Sequence, residues 1–363
     1  MSDIHPALLP NGLSDLLPPE AGKEAAATHM LMREFAAFGY RQVKPPLVEF
    51  EDSLLTAGPG QAMASQTFRL MDPVSRRMMG VRADTTAQIA RIAASRLSGE
   101  KRPLRLSYAA DVLRVNGTQL RPARQFCQVG CEFIGAFSPK NDAEVALLAL
   151  KSLSAVGLED LTIDLSLPAL AGHIFDAEKT AKEDRAEILE ILKKRDREAL
   201  EKCRDGAVRC FAPLLEAAGE AEKAVSCLRE MRFSGAAAEE EVSSLICVYE
   251  SLKEAVAVYG LKANITVDPL EHRGLTYETG VSFTLYAAGV RGEVGGGGRY
   301  KLGMKKAGGE DDTATGFTLY MDSILPALPK AEEEKIKTVS ADANWKEVKT
   351  LQDQGWKVFR EEG

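Results

Sequence analysis

Nowhere do the 363 residues contain an apolar run of the ~20 positions that a bilayer-spanning helix needs, and nothing at Met1 reads as a basic, apolar, small-residue leader. Neither a membrane span nor a secretory signal is expected, and the expected location is the cytoplasm. Positive charge is in deficit as well: 46 Lys and Arg stand against 53 Asp and Glu, a net charge of −7. That balance weighs against a broad nucleic-acid-binding face, though a local basic patch is compatible with it. Cysteine is sparse and scattered, as Cys127, Cys131, Cys203, Cys210, Cys227 and Cys247. The spacing of Cys127 and Cys131 would suit two zinc ligands, but no second pair sits nearby, and residues four apart in a strand share a face. Reduced thiols, with neither disulfide nor zinc, are therefore expected. What is abundant is core-forming material: 45% hydrophobic and 27% charged residues fit a globular chain with a sizeable core, and two domains plus a tail are expected.

The opening LLPNGLSDLLPPE reads as irregular until Pro18-Pro19 prepares a helix start. Ala27, Leu31, Met32, Phe35 and Phe38 then recur at helical spacing, and Gly39 stops the helix. RQVKPPLVEF (Arg41 to Phe50) reads as a strand broken by Pro45-Pro46, which suits an edge or interface. Phe68 to Thr86 reads as a hairpin turning at Asp72-Pro73, and Thr86 to Leu97 as a helix. Two strand-like runs, RLSYAADVLRV and RQFCQVGCEFIG, are joined by a polar loop at Asn116 to Gln119; a helix capped at Asn141-Asp142 and the strand LTIDLSL follow. Strands in pairs flanked by helices predict an α+β fold with a mixed sheet rather than alternating βαβ units. From Asp176 to Tyr259 the composition shifts to Ala, Glu, Lys, Leu and Arg, predicting a helical insert. NITVDP and TGVSFTLYAA then resume the strands, and Gly295 to Gly298 is expected to form a turn before GRY. The expected organisation is a core of residues 1–175 and 260–328, an inserted helical subdomain at 176–259, and a short β-α-β tail at 329–363.

Five segments carry the chemistry: RADTT (Arg82 to Thr86), RQFCQVGCEFIG (Arg124 to Gly135), RGLTYETG (Arg273 to Gly280), GGGGRY (Gly295 to Tyr300) and TGFTLYMDSIL (Thr315 to Leu325). Taken singly they have plain readings: Arg114 as a surface cation, Glu132 as a charge on a strand face, the glycines as a flexible hairpin. Their occurrence in order resembles the catalytic core of histidyl-tRNA synthetase, whose versions read RPEGT, RQFHQ-x-G-x-E, RGLDYYTG, GGRYDGL and GFA-x-G-x-ER. The resemblance runs from about Leu9 to Leu325 and implies a class II aminoacyl-tRNA synthetase-like antiparallel sheet flanked by helices. It also implies that the first long helix and the proline-ended strand form a homodimer interface. A free amino acid offers a cation, an anion and a side chain, so a specific pocket needs an acid, a base and further polar groups. By this resemblance Asp84 and Thr86 hold the ammonium with Gln128 close by, Arg114 and Arg273 lie near the carboxylate, and Glu132 and Tyr277 meet the imidazole. The family's second tyrosine is Glu278 here, and two ionised carboxylates beside one imidazole favour the protonated ring. Thr276 and Lys301 replace two aspartates of the pattern.

The nucleotide half departs further. Adenylate formation requires cations on the triphosphate. Ser323 stands at the position of the family's clamp arginine, Asp322 at the acid, and Tyr320 where glycine leaves room for adenine; Arg114 is followed by Val115 and Asn116 rather than the Arg-x-Glu pattern. A hydroxyl is no substitute for a bidentate guanidinium. The tail of 33 residues from Ala331 is too short for the family's anticodon-binding domain, so tRNA recognition is not expected. A pocket retained for histidine beside a lost grip on ATP is similar to the regulatory subunits of ATP phosphoribosyltransferase. That resemblance implies a non-catalytic, cofactor-free subunit of a hetero-oligomer in histidine biosynthesis. It would bind L-histidine and allosterically activate and feedback-inhibit the short-form catalytic subunit. Two alternatives stay open: an adenylate-forming aminoacyl ligase, and a stand-alone histidine sensor with another partner.

Overall fold

In the computed structural model, which describes residues 8–55, 58–203, 206–271, 277–305, 311–329 and 335–361, the chain is organised by strand pairing between segments far apart in sequence. The strands are β1 (Arg41–Gln42), β2 (Val48–Phe50), β3 (Arg69–Met71), β4 (Met78–Val81), β5 (Leu104–Leu113), β6 (Gln125–Ile134), β7 (Leu161–Ser166), β8 (Gly219–Glu220), β9 (Ala263–Val267), β10 (Glu278–Tyr286), β11 (Gly295–Lys305), β12 (Asp311–Tyr320), β13 (Ile336–Val339) and β14 (Lys357–Arg360). Nine of them form one sheet in the order β1-β5-β6-β12-β11-β10-β7-β9-β8, and β2-β4-β3 form a second. The run from β5 to β7 in that order is antiparallel throughout, and only the β1·β5 and β7·β9 pairs are parallel. This is the α+β, class II synthetase-like sheet expected from the sequence.

Pro45-Pro46 divides its segment between the two sheets. Proline offers no N–H to a ladder, so β1 ends before it at the edge of the large sheet and β2 starts after it in the small one. The hairpin turn expected at Asp72-Pro73 forms between β3 and β4: the Asp72 carboxylate accepts from the backbone N–H of Val74 and of Ser75, both at 3.1 Å. Helix Glu20–Ala37 buries Ala27, Leu31 and Phe35, and the Phe35 ring meets Phe317 of β12 edge-on at 5.4 Å. Helix Pro139–Ala155 is buried along most of its length and packs between helices Glu20–Ala37 and Ala236–Val258. Its start differs from the expected cap at Asn141-Asp142. Pro139, preset for the first helical turn, moves the start upstream, and Ser138 is the cap, its hydroxyl accepting from Lys140 N–H at 3.2 Å. Asp142 is thereby released for an ion pair in the core. The helix expected over Thr86 to Leu97 ends at Ala94.

The glycine run differs most from expectation. Gly295–Gly298 is not a turn but the first half of β11, in register with Leu319–Gly316 of β12. The strands approach so closely that a Cβ at Gly297 would lie 2.0 Å from the Gly316 carbonyl oxygen. Among the described residues between β7 and β9 the regular structure other than β8 is helical, with helices Leu170–Glu178, Lys182–Lys193, Arg197–Lys202, Val208–Ala217, Ala221–Glu230 and Ala236–Val258; the first runs through residue 175, where the composition shifts.

The chain forms two compact units, Met1–Ala327 and Leu328–Gly363. In the second, β13 and β14 pair in parallel, joined through helix Trp345–Asp353, whose N-cap Asn344 accepts from Glu347 N–H at 2.9 Å. No described helix is long and apolar enough to cross a membrane. The cysteines of the Cys127/Cys131 pair lie in β6, and burial pushes the Cys127 thiol up to about 12 and Cys131 well above its ordinary value, so both stay protonated.

Candidate functional site

Alternation along the central strands produces the site. Side chains in a strand point to opposite faces in turn, so Glu132 of β6, Gly316, Thr318 and Tyr320 of β12, and Gly296, Gly298 and Tyr300 of β11 share the face away from Phe35. Where neighbouring strands carry glycine the face is hollow, and a cavity of about 210 Å³ occupies the space. A Cβ at Gly316 would lie 1.9 Å from Glu132 Oε2, so the glycine is required for the carboxylate to sit where it does.

Six of the eight site residues expected from the sequence line this cavity: Asp84, Thr86, Arg114, Glu132, Tyr277 and Glu278. Gln128 lies behind the wall rather than in it. Its Nε2 donates to Asp84 Oδ2 at 2.8 Å, and its Oε1 accepts from the Thr85 N–H and hydroxyl, both at 3.0 Å. Gln128 therefore holds Asp84 in place from one side. Arg273 lies outside the described residues.

Asp84 is held on its other side by Thr86 N–H, which donates to Oδ1 at 2.9 Å. The Arg114 guanidinium is 3.9 Å from Asp84 and donates through Nε to the Ala83 carbonyl at 3.2 Å. Arg82 of the same RADTT segment is structural: it donates to the carbonyl oxygens of Asp111 at 2.5 Å and Pro45 at 3.1 Å.

Glu132 is 2% exposed, and burial pushes its carboxyl up to about 8; the hydrogen bond from Tyr300 opposes the rise and the Asp84 charge adds to it. The Tyr300 hydroxyl donates to Glu132 Oε2 at 2.9 Å. Burial, then the charges of Asp84, Glu278 and Glu132, hold the Tyr277 hydroxyl well above its ordinary value, so it too is a donor. Tyr277 and Tyr300 meet edge-on at 5.7 Å. The described wall thus carries four carboxyls, Asp84, Glu132, Glu278 and Glu293, against the single guanidinium of Arg114. Such a wall selects a ligand with more than one cationic or hydrogen-donating group and a single anionic end.

Sequence reasoning missed Tyr300, Glu293 and Arg121. Tyr300 was within reach, being two residues beyond Gly298 on the same strand face. Its neighbour Arg299 shows the alternation: it is buried on the opposite face, its Nε and Nη2 donating to the two oxygens of Asp142 at 3.1 and 2.5 Å. Arg121 comes from the polar loop between β5 and β6 and reaches the end of β12. Its guanidinium stacks 3.8 Å above the Tyr320 ring, its Nη2 donates to the Ser323 hydroxyl at 3.0 Å, and its Nε pairs with Asp322 at 3.0 Å. Tyr320, Asp322 and Ser323 are thereby gathered around one guanidinium.

The histidyl-tRNA synthetase family matches residues 12–324. The chain is 46% identical over 352 residues to the ATP phosphoribosyltransferase regulatory subunit of Rhodospirillum centenum, covering 97% of this chain and 88% of that protein. The regulatory subunit of Paramagnetospirillum magneticum is 44% identical over 353 residues, covering 96% and 89%. Among solved structures, one described as an ATP phosphoribosyltransferase regulatory subunit/histidyl-tRNA synthetase from Bacillus halodurans superposes with a TM-score of 0.81 at 21% identity, covering 98% of this chain and 93% of that one. Histidyl-tRNA synthetase from Nostoc sp. PCC 7120 gives a TM-score of 0.79 at 18% identity, with 98% and 86% covered. At those identities the structural likeness speaks to the fold alone.

Proposed function

The chain belongs to the histidyl-tRNA synthetase family and, within it, to the regulatory, non-catalytic subunits of ATP phosphoribosyltransferase; from that premise we propose that it binds free L-histidine in the cavity and passes that occupancy to the catalytic subunit. In this reading Asp84 takes the ammonium, Arg114 with Arg273 the carboxylate, and Glu132, Tyr277 and Glu278 the imidazole. The partner is the short-form catalytic subunit, bound in the cytoplasm within a hetero-oligomer that contains a homodimer of this chain, and the reaction regulated lies in histidine biosynthesis. Residues 1–175 and 260–328 form the synthetase-like body, 176–259 an inserted helical subdomain, and 329–363 a short β-α-β-like unit.

The observation that carries the reading is the convergence of six residues from four separate segments on one cavity of about 210 Å³. That volume is below the ~300–1,000 Å³ of pockets for drug-sized ligands and suits a free amino acid rather than a nucleotide. Feedback requires only that histidine bind one quaternary state more tightly, and a coupling of about 1–3 kcal/mol is enough.

Parallel calorimetric titrations with L-histidine and with ATP test this reading. Histidine is expected to bind and ATP not to, and Asp84→Ala is expected to weaken histidine at least ~10-fold, since hydrogen bonds to charged groups contribute about 1.5–3 kcal/mol. ATP binding without histidine binding would return the chain to the ligase class.

A further inference from the structure

The cavity has a neighbour. A second hollow of about 250 Å³ adjoins it, with Arg114 and Glu293 lining both. Tyr320 faces the first and Arg121 the second. The division between the two is therefore built from a phenol ring and a guanidinium stacked on it at 3.8 Å.

Arg121 is unusually well held for a loop residue. Its side chain is 10% exposed. Its Nε pairs with Asp322 at 3.0 Å, and its Nη2 donates to the Ser323 hydroxyl at 3.0 Å and to the Glu293 carbonyl at 3.4 Å. Its Nη1 lies 3.9 Å from the Glu293 carboxylate, and Phe126 is 5.2 Å away on an adjacent side. The Phe126 and Tyr320 rings themselves meet edge-on at 6.1 Å. A planar, donor-rich group in an aromatic corner with hydrogen-bond acceptors around its rim has the recognition chemistry of a purine base, which also stacks on an aromatic face and presents an amino group at its edge.

We propose that Arg121 is an internal occupant of the nucleotide side of this site: it takes the face of Tyr320 and the acceptors Ser323 Oγ and the Glu293 carbonyl, with its charge beside the Asp322 carboxylate, so a free amino acid is admitted and an adenine-bearing ligand is refused. This rests on the reading of the first cavity as an amino-acid site, and it adds a residue that determines specificity. It also assigns a use to Ser323 beyond marking a lost arginine, since its hydroxyl helps hold the plug. The loss of nucleotide binding is then enforced twice, by the missing triphosphate cation and by a filled base pocket, and removing the plug restores affinity for the base but not for the triphosphate.

The probe is accordingly adenosine, titrated calorimetrically into the full chain and into Arg121→Ala, with L-histidine titrated separately. The unaltered chain is expected to give no adenosine binding, and Arg121→Ala to gain about tenfold or more in adenosine affinity, a gain in keeping with base stacking on an aromatic ring. Arg121→Gln, which keeps the side chain as far as Cδ and a polar end but neither stacks as a cation nor pairs with Asp322, serves as the second variant should the alanine variant melt early. A folded variant of either kind that gains no adenosine affinity would overturn the proposal, as would adenosine binding by the unaltered chain. Because the adenosine titration does not require histidine, loss of histidine binding in every chain would count against the amino-acid reading alone.

Discussion

Glu132 concentrates the energetics of the site in one side chain. Its carboxyl titrates at about 8 in the folded chain against 4.5 ordinarily, because burial disfavours the charged form. As pH rises through 4.5 the unfolded chain gives up this proton while the folded chain keeps it. The contribution of Glu132 to stability is therefore greatest below pH 4.5, falls across the window from 4.5 to about 8, and levels off above it. Glu132→Gln removes that dependence, so the melting temperature of the variant is expected to gain on the parent steadily from pH 5 to pH 8 in scanning calorimetry. Parallel profiles would show that Glu132 is charged in the fold. The same proton bears on the ligand. Imidazole, with an ordinary pKa near 6.5, arrives mostly neutral at pH 7.5 and meets a carboxyl that still carries a proton to share. Histidine affinity is expected to hold level between about pH 6.5 and about pH 8 and to fall above that, by about tenfold per unit at first, and the fall just above pH 8 should be absent in Glu132→Gln. Gly316 stands opposite Glu132 in the ladder, and a Cβ there would meet both the carboxylate and, at 2.5 Å, the Cys131 carbonyl oxygen, so Gly316→Ala is expected to disturb the pairing of β6 with β12 and to lower the melting temperature and the histidine affinity together.

At the level of elements, β11 separates two functions by alternation. Tyr300 faces the cavity while Arg299, one residue away, is 1% exposed on the other side and carries the ion pair with Asp142 at the start of helix Pro139–Ala155. Breaking a buried pair leaves an uncompensated charge, so Asp142→Ala is expected to cost about 3–5 kcal/mol in denaturant unfolding. Histidine affinity of the folded fraction should be unchanged, because the pair is on the far face of the sheet; a large loss of affinity at unchanged stability would contradict this separation. That Asp142 is a core partner rather than a helix cap was hidden in the sequence, where Asn-Asp before an apolar run is a legitimate cap signal. Pro139 decided otherwise. The GGGG run was likewise ambiguous, since glycine signals turns until a second backbone is seen lying against it.

For the whole molecule, linkage between ligand and partner is reciprocal. If histidine binds the assembly more tightly in its inhibited state, the catalytic subunit must alter histidine affinity by the same factor. Titration of histidine into this chain alone and into the assembled enzyme should differ by about 5–150-fold in affinity, and equal affinities would mean that the histidine site is not coupled to the catalytic subunit.

Most of the sheet and the long helices were legible because they rest on local signals, period-two and period-3.6 burial and turn chemistry at Asp72, and motif order from RADTT to TGFTLYMDSIL pointed to six residues that line one cavity. The sequence also showed on its own that Ser323 stands where the histidyl-tRNA synthetase pattern carries an arginine. Tertiary structure alone decided that Gln128 bonds Asp84, that Tyr300 is the donor to Glu132, and that Arg121 crosses from its loop onto Tyr320. Each of these depends on which strand faces lie together across gaps of 44, 168 and 202 residues, from Gln128 to Asp84, Tyr300 to Glu132 and Arg121 to Ser323. Composition and periodicity report a residue's own burial face. The partner on the other side of a contact is set by chain topology, and it appears only when the sheet is closed.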